Sequence, residues 1–426
     1  MTVLPVPPTA LTDADLAAVD GLLAPADAER IAKYPGDPVT RQPVHTVYVP
    51  ADRMHPGLVT EWGRAASAAL AADAPTAAAL AAATGLDPDD VAGVWPALTR
   101  KLETEPIEDL RVDLEDGYGD RPDDEEDAHA LAAGAAIAAA AARGSLPPYV
   151  GVRFKSLEGG TRRRGLRSLD LVLGAVLAAA ELPDGWLLTL PKVTSPAQVA
   201  AMADICGRLE RGHGLTDHRL RFEIQVETPQ AILGPDGAAS IAPMVHAADG
   251  RCAGLHFGTY DYTAALGIAG GFQSMDHPAS DHAKTTMQLA AAGTGVRVCD
   301  GSTNVLPVGS TANVHAGWAL HARLVRRSLE RGYYQGWDLH PAQLPTRYLS
   351  TYLFFRDDLE TLGGRLHTYL HGGDEAGVLD EPATAQALAG FILRGVHCGA
   401  VDDDELKGLV GTDLATLVAL ADRRVG

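Results

Sequence analysis

The sequence predicts an α/β protein built on a (β/α)8 TIM barrel, and three observations predict it. Short runs rich in β-branched residues and leucine recur along the chain, eight of them between residues 45 and 340. Each is followed by a polar or charged residue and a Gly- or Pro-containing loop, and Ala/Leu-rich stretches of helical character fill most of the gaps. Strands separated by helices pair in parallel, and eight is the number a closed barrel requires. An open doubly wound sheet would carry G-x-G-x-x-G after its first strand, and VYVPADRMHPG has no such motif.

The runs are, in order, HTVYVP (45–50), LRVDLED (110–116), YVGVRF (149–154), WLLTLPK (186–192), RFEIQVE (221–227), GLHFG (254–258), GVRVCDG (295–301) and YYQGWDLH (333–340). Several are almost continuously apolar, as expected of strands buried on both faces. Residues 1–44 read as an N-terminal helical segment and 45–341 as the barrel. The stretch from about 57 to 105 exceeds what a crossover needs, and AADAPTAAALAAATGLDPDD marks helical insertions. After the fourth run, SPAQVAAMADICGRLERG opens with Ser195 as N-cap and Pro196 at the first helical position. HAGWALHARLVRRSLERG precedes the eighth. Residues 342–426 read as a helical extension, interrupted by HGGDEAGVLDEPA at 371–383.

Composition narrows the function classes. The 426 residues carry 35 Lys and Arg against 55 Asp and Glu, a net charge of −20. Nucleic acid and anionic membrane surfaces both reward basic patches, so neither is expected as a partner. Arg162-Arg163-Arg164 is the only notable basic run, a solvated face or an anion contact. The four cysteines, Cys206, Cys252, Cys299 and Cys398, lie far apart with no C-x-x-C pair, which argues against zinc spacings and a disulfide framework and fits a reducing cytoplasm. MTVLPVPPTALTDADL has neither a basic n-region nor a continuous apolar h-region, and the alanine tract at 132–142 is too short to span a bilayer.

In a barrel of this kind the active site forms at the C-terminal ends of the strands. Reading those ends as one ring gives Asp113, Glu115 and Asp116, then Arg153, Lys192, Glu227, Asp261 just past GLHFG, Asp300 and His340. The ring is almost wholly ionisable, which favours a site over a set of polar loops. Glu227 and Asp261 on neighbouring strand ends suit a hard divalent cation such as Mg²⁺, which takes one or two protein carboxylates and completes its shell with water and substrate oxygens. Arg153 is placed for a bidentate contact with a carboxylate or developing enolate, or for a salt bridge to Glu115 or Glu227. Lys192 among carboxylates keeps its proton, so a charge-balancing role outweighs a Schiff-base one. His277 with His282, and His315 with His321, lack the i, i+4 spacing of a helical metal pair.

Seven segments, VYVPADR, VDLEDGYGDRPDDEEDA, VGVRFKS, LPKVTSPAQV, IQVETPQAI, HFGTYDYTAALGI and GWDLHPAQL, stand in an order and spacing that resembles the HpcH/HpaI aldolase and citrate lyase superfamily. The likeness is to its citrate lyase β-subunit-like branch, whose barrel, of the phosphoenolpyruvate/pyruvate-domain type, is related to that of malate synthases. It runs from about residue 45 to 350. The pyruvate-aldolase branch has a His base after its acidic motif, whereas Asp116-Gly117-Tyr118-Gly119 offers none here. The resemblance implies Glu227 and Asp261 as ligands of Mg²⁺, with Mn²⁺ as a substitute. It further implies that Arg153 grips a 2-oxo acid, that the backbone around Gly258, Thr259 and Tyr260 receives its carboxylate, and that Glu115 and Asp116 order water around the metal. It also implies a homo-oligomer, a trimer or hexamer.

The expected activity is a Mg²⁺-dependent carbon–carbon lyase or aldolase acting on a small 2-oxo or hydroxy acid or its coenzyme A thioester. One alternative is malate-synthase-like condensation of an acyl-CoA with glyoxylate. An alternative of another class is a catalytically silent barrel that binds a metabolite, since fold alone does not prove activity.

Overall fold

The computed structural model describes residues 10–372 and 381–422. Residues 1–9, most of the expected interruption at 371–383, and the last four residues of the extension lie outside the described residues. Eight parallel strands form one sheet: β1 (His45–Pro50), β2 (Asp109–Asp113), β3 (Tyr149–Arg153), β4 (Trp186–Leu190), β5 (Arg221–Val226), β6 (Cys252–Phe257), β7 (Arg297–Cys299) and β8 (Gly336–Asp338). The order β7-β6-β5-β4-β3-β2-β1-β8 is that of a barrel. It closes through a parallel bridge between Cys299 and Gln335 and a hydrogen bond from Asp300 N to Gln335 O at 2.8 Å.

Helices wrap the barrel. α1 (Asp13–Lys33) precedes it, and its residues are all exposed. α2 (Leu58–Asp73), α3 (Ala77–Thr84) and α4 (Pro88–Thr104) fill the span between β1 and β2. α4 starts where Asp87 accepts from Asp89 N at 2.8 Å and Pro88 takes the first helical position. α5 (Asp123–Ala142), α6 (Arg162–Leu177), α7 (Pro196–His213), α8 (Pro229–Ile232), α9 (Ile241–Ala247), α10 (Thr259–Ala265), α11 (Pro278–Ala291) and α12 (Thr311–Glu330) connect the remaining strands. α13 (Leu344–Arg356), α14 (Leu359–His371), α15 (Pro382–Cys398), α16 (Asp403–Val410) and α17 (Leu414–Ala421) form the helical C-terminal extension. Ser195 sits at the N-cap of α7, but its side chain makes no capping bond. No single helix among the described residues is long and apolar enough to cross a membrane.

The strands differ from expectation in one respect. Their outward residues are aliphatic and fully buried under the helices, as with Val47, Leu110, Val112, Val150, Val152, Leu188 and Ile224. Their inward residues are largely polar. Arg111 reaches across the lumen to Asp109 and Glu223 and donates from Nε to Thr189 Oγ1 at 3.2 Å. His256 Nε2 lies 3.3 Å from Glu223, while its Nδ1 accepts from Trp337 Nε1 at 3.3 Å. Against the burial that would raise it, Arg111 and His256 hold the Glu223 carboxyl at about 2. The apolar character read along the strands therefore belongs mainly to their outer face. Gly151 makes room for this lumen: a Cβ there would lie 1.5 Å from Leu187 O, so only glycine allows β3 and β4 their spacing.

A second buried ionic cluster fastens the C-terminal helices to the barrel. Asp338 at the end of β8 accepts from Arg347 Nε at 3.0 Å and from His321 Nε2 at 3.1 Å, and lies 2.6 Å from His45 Nδ1. One carboxylate thus joins β1, β8, α12 and α13, and none of the four residues is more than 3% exposed. Burial acts to raise the Asp338 carboxyl, but Arg347 and the two imidazoles hold it well below the usual range. A depressed carboxylate stabilises the fold above its unfolded pKa of about 3.9, and that contribution is lost as pH falls through the folded value. We predict that Asp338→Asn costs about 3–5 kcal/mol at pH 7, as expected when one partner of a buried ionic cluster is removed. Urea midpoints measured from pH 7 down to pH 3 should show the gap between the two proteins narrowing only below about pH 4.

Candidate functional site

The acidic exit of β2, the lysine after β4 and the carboxylates after β5 and β6 meet at the C-terminal mouth. Lys192 stands two residues past β4 with φ at 53°, a region L-residues rarely adopt. Its N–H donates to Glu227 Oε1 at 2.7 Å. Its side chain crosses the mouth, placing Nζ 2.8 Å from Asp116 Oδ2, 2.8 Å from Asp261 Oδ2 and 3.1 Å from Glu115 Oε1. Glu227 is buried just beyond β5, whereas Asp116 and Asp261 are about half exposed. Gly258 packs directly on Glu227, since a Cβ there would lie 2.5 Å from the Glu227 Cβ and 2.6 Å from its Oε2.

Beneath this layer lies a rung that fixes Arg153. Its Nε and Nη2 donate to Asp113 Oδ1 and Oδ2, each at 2.7 Å, and its guanidinium rests 4.6 Å from the centre of the Tyr48 ring. Glu115 is 3.6 Å away. The principal partner of Arg153 is therefore Asp113, which sequence reading placed among the mouth acids. Asp113 also accepts from Glu115 N at 3.0 Å and Gly117 N at 2.9 Å, so it orders the loop that carries Glu115 and Asp116. Gln225 links the two layers. Its Oε1 accepts from Arg153 Nη1 at 3.3 Å, and its Nε2 donates to Glu227 Oε2. Nothing in the sequence singled out Gln225 beyond its inward parity two residues before Glu227.

Two members of the expected ring do not join the others. Asp300 turns away from the mouth: its Oδ2 accepts from Lys284 Nζ at 2.9 Å and Ser328 Oγ at 2.6 Å, behind β7. Its inward-looking position in the sequence hid a lysine on α11 that claims it. His340 accepts from Ala342 N at 3.2 Å and serves as the cap of the turn before α13. Of the other histidines, His277 caps α11 and His321 is bound to Asp338. Within the basic run, Arg164 is tied to Asp127 and Glu126.

The mouth is electrostatically polarised. Burial, with Asp261 and Glu115 adding repulsion, pushes Glu227 up to about 8 against the pull of Lys192. Burial likewise raises Glu115, while Asp116, despite its own burial, is lowered by the hydrogen bond and charge of Lys192. Lys192 itself is raised: its desolvation is outweighed by Glu227, Asp116, Asp261 and Glu115. Thr259, behind the mouth at the start of α10, has a buried Oγ1 with no hydrogen-bond partner. The Tyr260 hydroxyl accepts from Asn304 N at 2.6 Å.

A divalent cation fits the donor set. All the candidates are hard carboxylate oxygens: Asp261, Asp116 and Glu115 already converge on the Lys192 ammonium, and Glu227 accepts from that residue's backbone N–H. Among the described residues no three His, Cys, Asp or Glu side chains form a ready-made metal cluster. Two carboxylates suffice for Mg²⁺, which keeps several waters. Glu227 and Asp261 would hold it.

Residues 23–425 match a single family along nearly the whole described chain. The protein belongs to the domain-of-unknown-function family DUF6986. Among curated proteins none matches the DUF6986 chain. Among solved structures it is similar to the malate synthase of Haloferax volcanii at 3 mM glyoxylate, with 15% identity over 90% of this chain and 99% of that one and a TM-score of 0.49. It is also similar to that enzyme's magnesium/glyoxylate complex, with 15% identity, 90% and 98% coverage and a TM-score of 0.47. The CitE protein of Mycobacterium tuberculosis, in complex with magnesium, acetoacetate and coenzyme A, gives 17% identity, 85% and 99% coverage and a TM-score of 0.46. At these TM-scores the DUF6986 site has to be understood from its own geometry.

That geometry makes Gly258 a sensitive point. With Glu227 as a ligand, Gly258→Ala would push its carboxylate aside and weaken Mg²⁺ binding by about 10- to 100-fold, the usual penalty for disturbing the supports of a metal ligand. Titration calorimetry with MgCl2, with circular dichroism as a check that the barrel remains folded, measures this directly.

Proposed function

We propose that the protein is a Mg²⁺-dependent carbon–carbon lyase or aldolase acting on a small 2-oxo or hydroxy acid or its coenzyme A thioester. The observation that carries this reading is the Lys192 ammonium seated among Glu115, Asp116 and Asp261, with the Lys192 backbone bonded to Glu227. Four carboxylates so close together repel one another unless a cation lies between them. Lys192 is the cation this chain supplies, and a divalent ion held by Glu227 and Asp261 would take over its contact with Asp261. Bound by Glu227 and Asp261, Mg²⁺ or Mn²⁺ supplies Lewis-acid stabilisation of the charge that develops on a substrate oxygen.

The chain's own residues do the rest. Arg153, held by Asp113 and braced by Gln225, has N–H donors left to bind a carboxylate or developing oxyanion. The backbone of Gly258, Thr259 and Tyr260 receives the substrate carboxylate. Glu115, buried and raised, moves the proton, while Asp116 beside it orders water. Lys192 stays charged throughout and acts as counter-ion. The same segments in the same order support the citrate lyase β-like branch of the resemblance. Assembly as a homo-oligomer follows from it too.

Turnover of a panel of 2-oxo acids and hydroxyacyl-CoA thioesters, with and without Mg²⁺, tests the reading. Metal-dependent cleavage that falls by about 10²-fold or more in Asp261→Asn is expected, as when a principal electrostatic contribution is removed. Condensation of an acyl-CoA with glyoxylate in place of cleavage would move the protein to the malate-synthase type. Metabolite binding with no turnover of any panel member would make it a silent binding barrel. Borohydride treatment in the presence of pyruvate or glyoxylate should leave no mass adduct on Lys192, and an adduct there would replace the metal mechanism with a Schiff-base one.

A further inference from the structure

Lys155, two residues past β3, is buried between the acidic exit of β2 and the first turn of α5. Its Nζ donates to Leu114 O at 3.0 Å and to Gly119 O at 3.2 Å. These carbonyls bracket the loop that carries Glu115 and Asp116, so both of its ends are tied to one ammonium. Between them the loop closes on itself, with Tyr118 N and Gly119 N donating to Glu115 O at 3.1 and 2.8 Å. The Tyr118 ring covers the same ammonium, its centre 5.4 Å from Nζ, and the Tyr118 hydroxyl lies 2.8 Å from His129 Nδ1 on α5. The backbone of Lys155 is fixed as well. A Cβ at Gly165 would lie 3.2 Å from the Lys155 Cβ and closer still to its carbonyl oxygen, so α6 packs directly on this residue.

Lys155 also has a charge partner, the fully buried Glu126, whose Oε2 lies 3.0 Å from Nζ. A plain counter-ion would direct its hydrogen bonds there. Yet Glu126 Oε2 accepts none, and the carboxylate is served on its other oxygen, by Ser168 Oγ at 2.5 Å and by Arg164, whose Nε is 3.3 Å away. The two aligned bonds of Lys155 go instead to the loop. An ammonium carries three donors on one stem, and two bonds from it to carbonyls at opposite ends of the loop fix the loop's position. Asp113 grips the same loop from the lumen, through Glu115 N and Gly117 N. Held from both sides, Glu115 and Asp116 meet Lys192 Nζ at 3.1 and 2.8 Å.

We propose that Lys155 is a positioning residue for the reaction at the mouth: by gripping residues 114–119 at both ends it sets where Glu115 and Asp116 stand relative to Lys192 and Arg153. A carboxylate that moves a proton must lie within hydrogen-bond reach of it, and a misplacement of about 1 Å can cost about 10²-fold in rate. The effect on turnover rests on the proposed lyase reading. The grip on the loop does not.

Three full-length proteins separate this role from that of a counter-ion: the wild type, Lys155→Met, and Lys155→Met/Glu126→Gln, which leaves neither member of the buried pair charged and alone. The urea midpoint should fall in Lys155→Met and largely recover in the double variant. Hydrogen exchange read by mass spectrometry should show residues 114–119 exchanging at least about 10-fold faster than wild type in both variants, as expected when the bonds that hold a loop are lost. Mg²⁺-dependent kcat should fall by about 10- to 100-fold in both, with KM and Mg²⁺ affinity little changed, because Arg153, Glu227 and Asp261 keep their own supports. Wild-type exchange at residues 114–119, or wild-type kcat, in the double variant would overturn the proposal and leave Lys155 as the counter-ion of Glu126. A wild type inactive on every 2-oxo acid and thioester of the panel would sink the lyase reading alone, and the exchange rates would still decide the grip of Lys155 on the loop.

Discussion

One ammonium group holds the mouth of this barrel together. Lys192 Nζ lies within 3.1 Å of three carboxylates, and its own backbone N–H binds a fourth. Two like charges 4 Å apart repel by about 4 kcal/mol at an effective dielectric of 20, so Glu115, Asp116 and Asp261 crowd together because a cation lies between them. The left-handed backbone at Lys192 is the cost of aiming both its N–H and its side chain at the same group of acids. Everything proposed for the site follows from that arrangement: a place prepared for positive charge and filled by a tethered ammonium.

The mouth rests on a scaffold that is itself ionic. Asp113 clamps Arg153, Gln225 connects Arg153 to Glu227, and below them Arg111 spans Asp109 and Glu223 with His256 and Thr189 completing the network. A lumen of this type is rigid because each group has fixed partners and a displaced one would leave a buried charge unpaired. The aliphatic outer faces of the strands supply the hydrophobic burial that offsets its desolvation. At the seam between β8 and β1, Asp338 repeats the device on the outside of the barrel and brings the C-terminal helices with it.

Much of this was legible in the sequence, for reasons that can be stated. The eight strands were visible because parallel strands separated by helices leave a repeating apolar signal. Glu227, Asp261, Lys192, Glu115 and Asp116 were visible because barrel geometry carries strand ends to one rim, whatever their distance in sequence. What lay below the rim was not. Period-2 alternation shows that Asp109, Arg111 and Asp113 share a face, but which face looks inward depends on closure of the sheet. Asp113 read as a mouth acid because its bidentate contact with Arg153 spans 40 positions. Asp300 read as one too, since its captors Lys284 and Ser328 sit on helices with no local motif to announce them.

The central claim is that the carboxylates of the mouth form a divalent-cation site for which Lys192 is the resident stand-in. Anomalous diffraction from a crystal soaked with MnCl2 and glyoxylate tests it most directly. The account predicts a manganese peak bound by Glu227 and Asp261, with the Lys192 ammonium moved off Asp261 and glyoxylate lying between the metal and Arg153. A mouth free of manganese at saturating concentration, with Lys192 still bonded to Asp116 and Asp261, would contradict it.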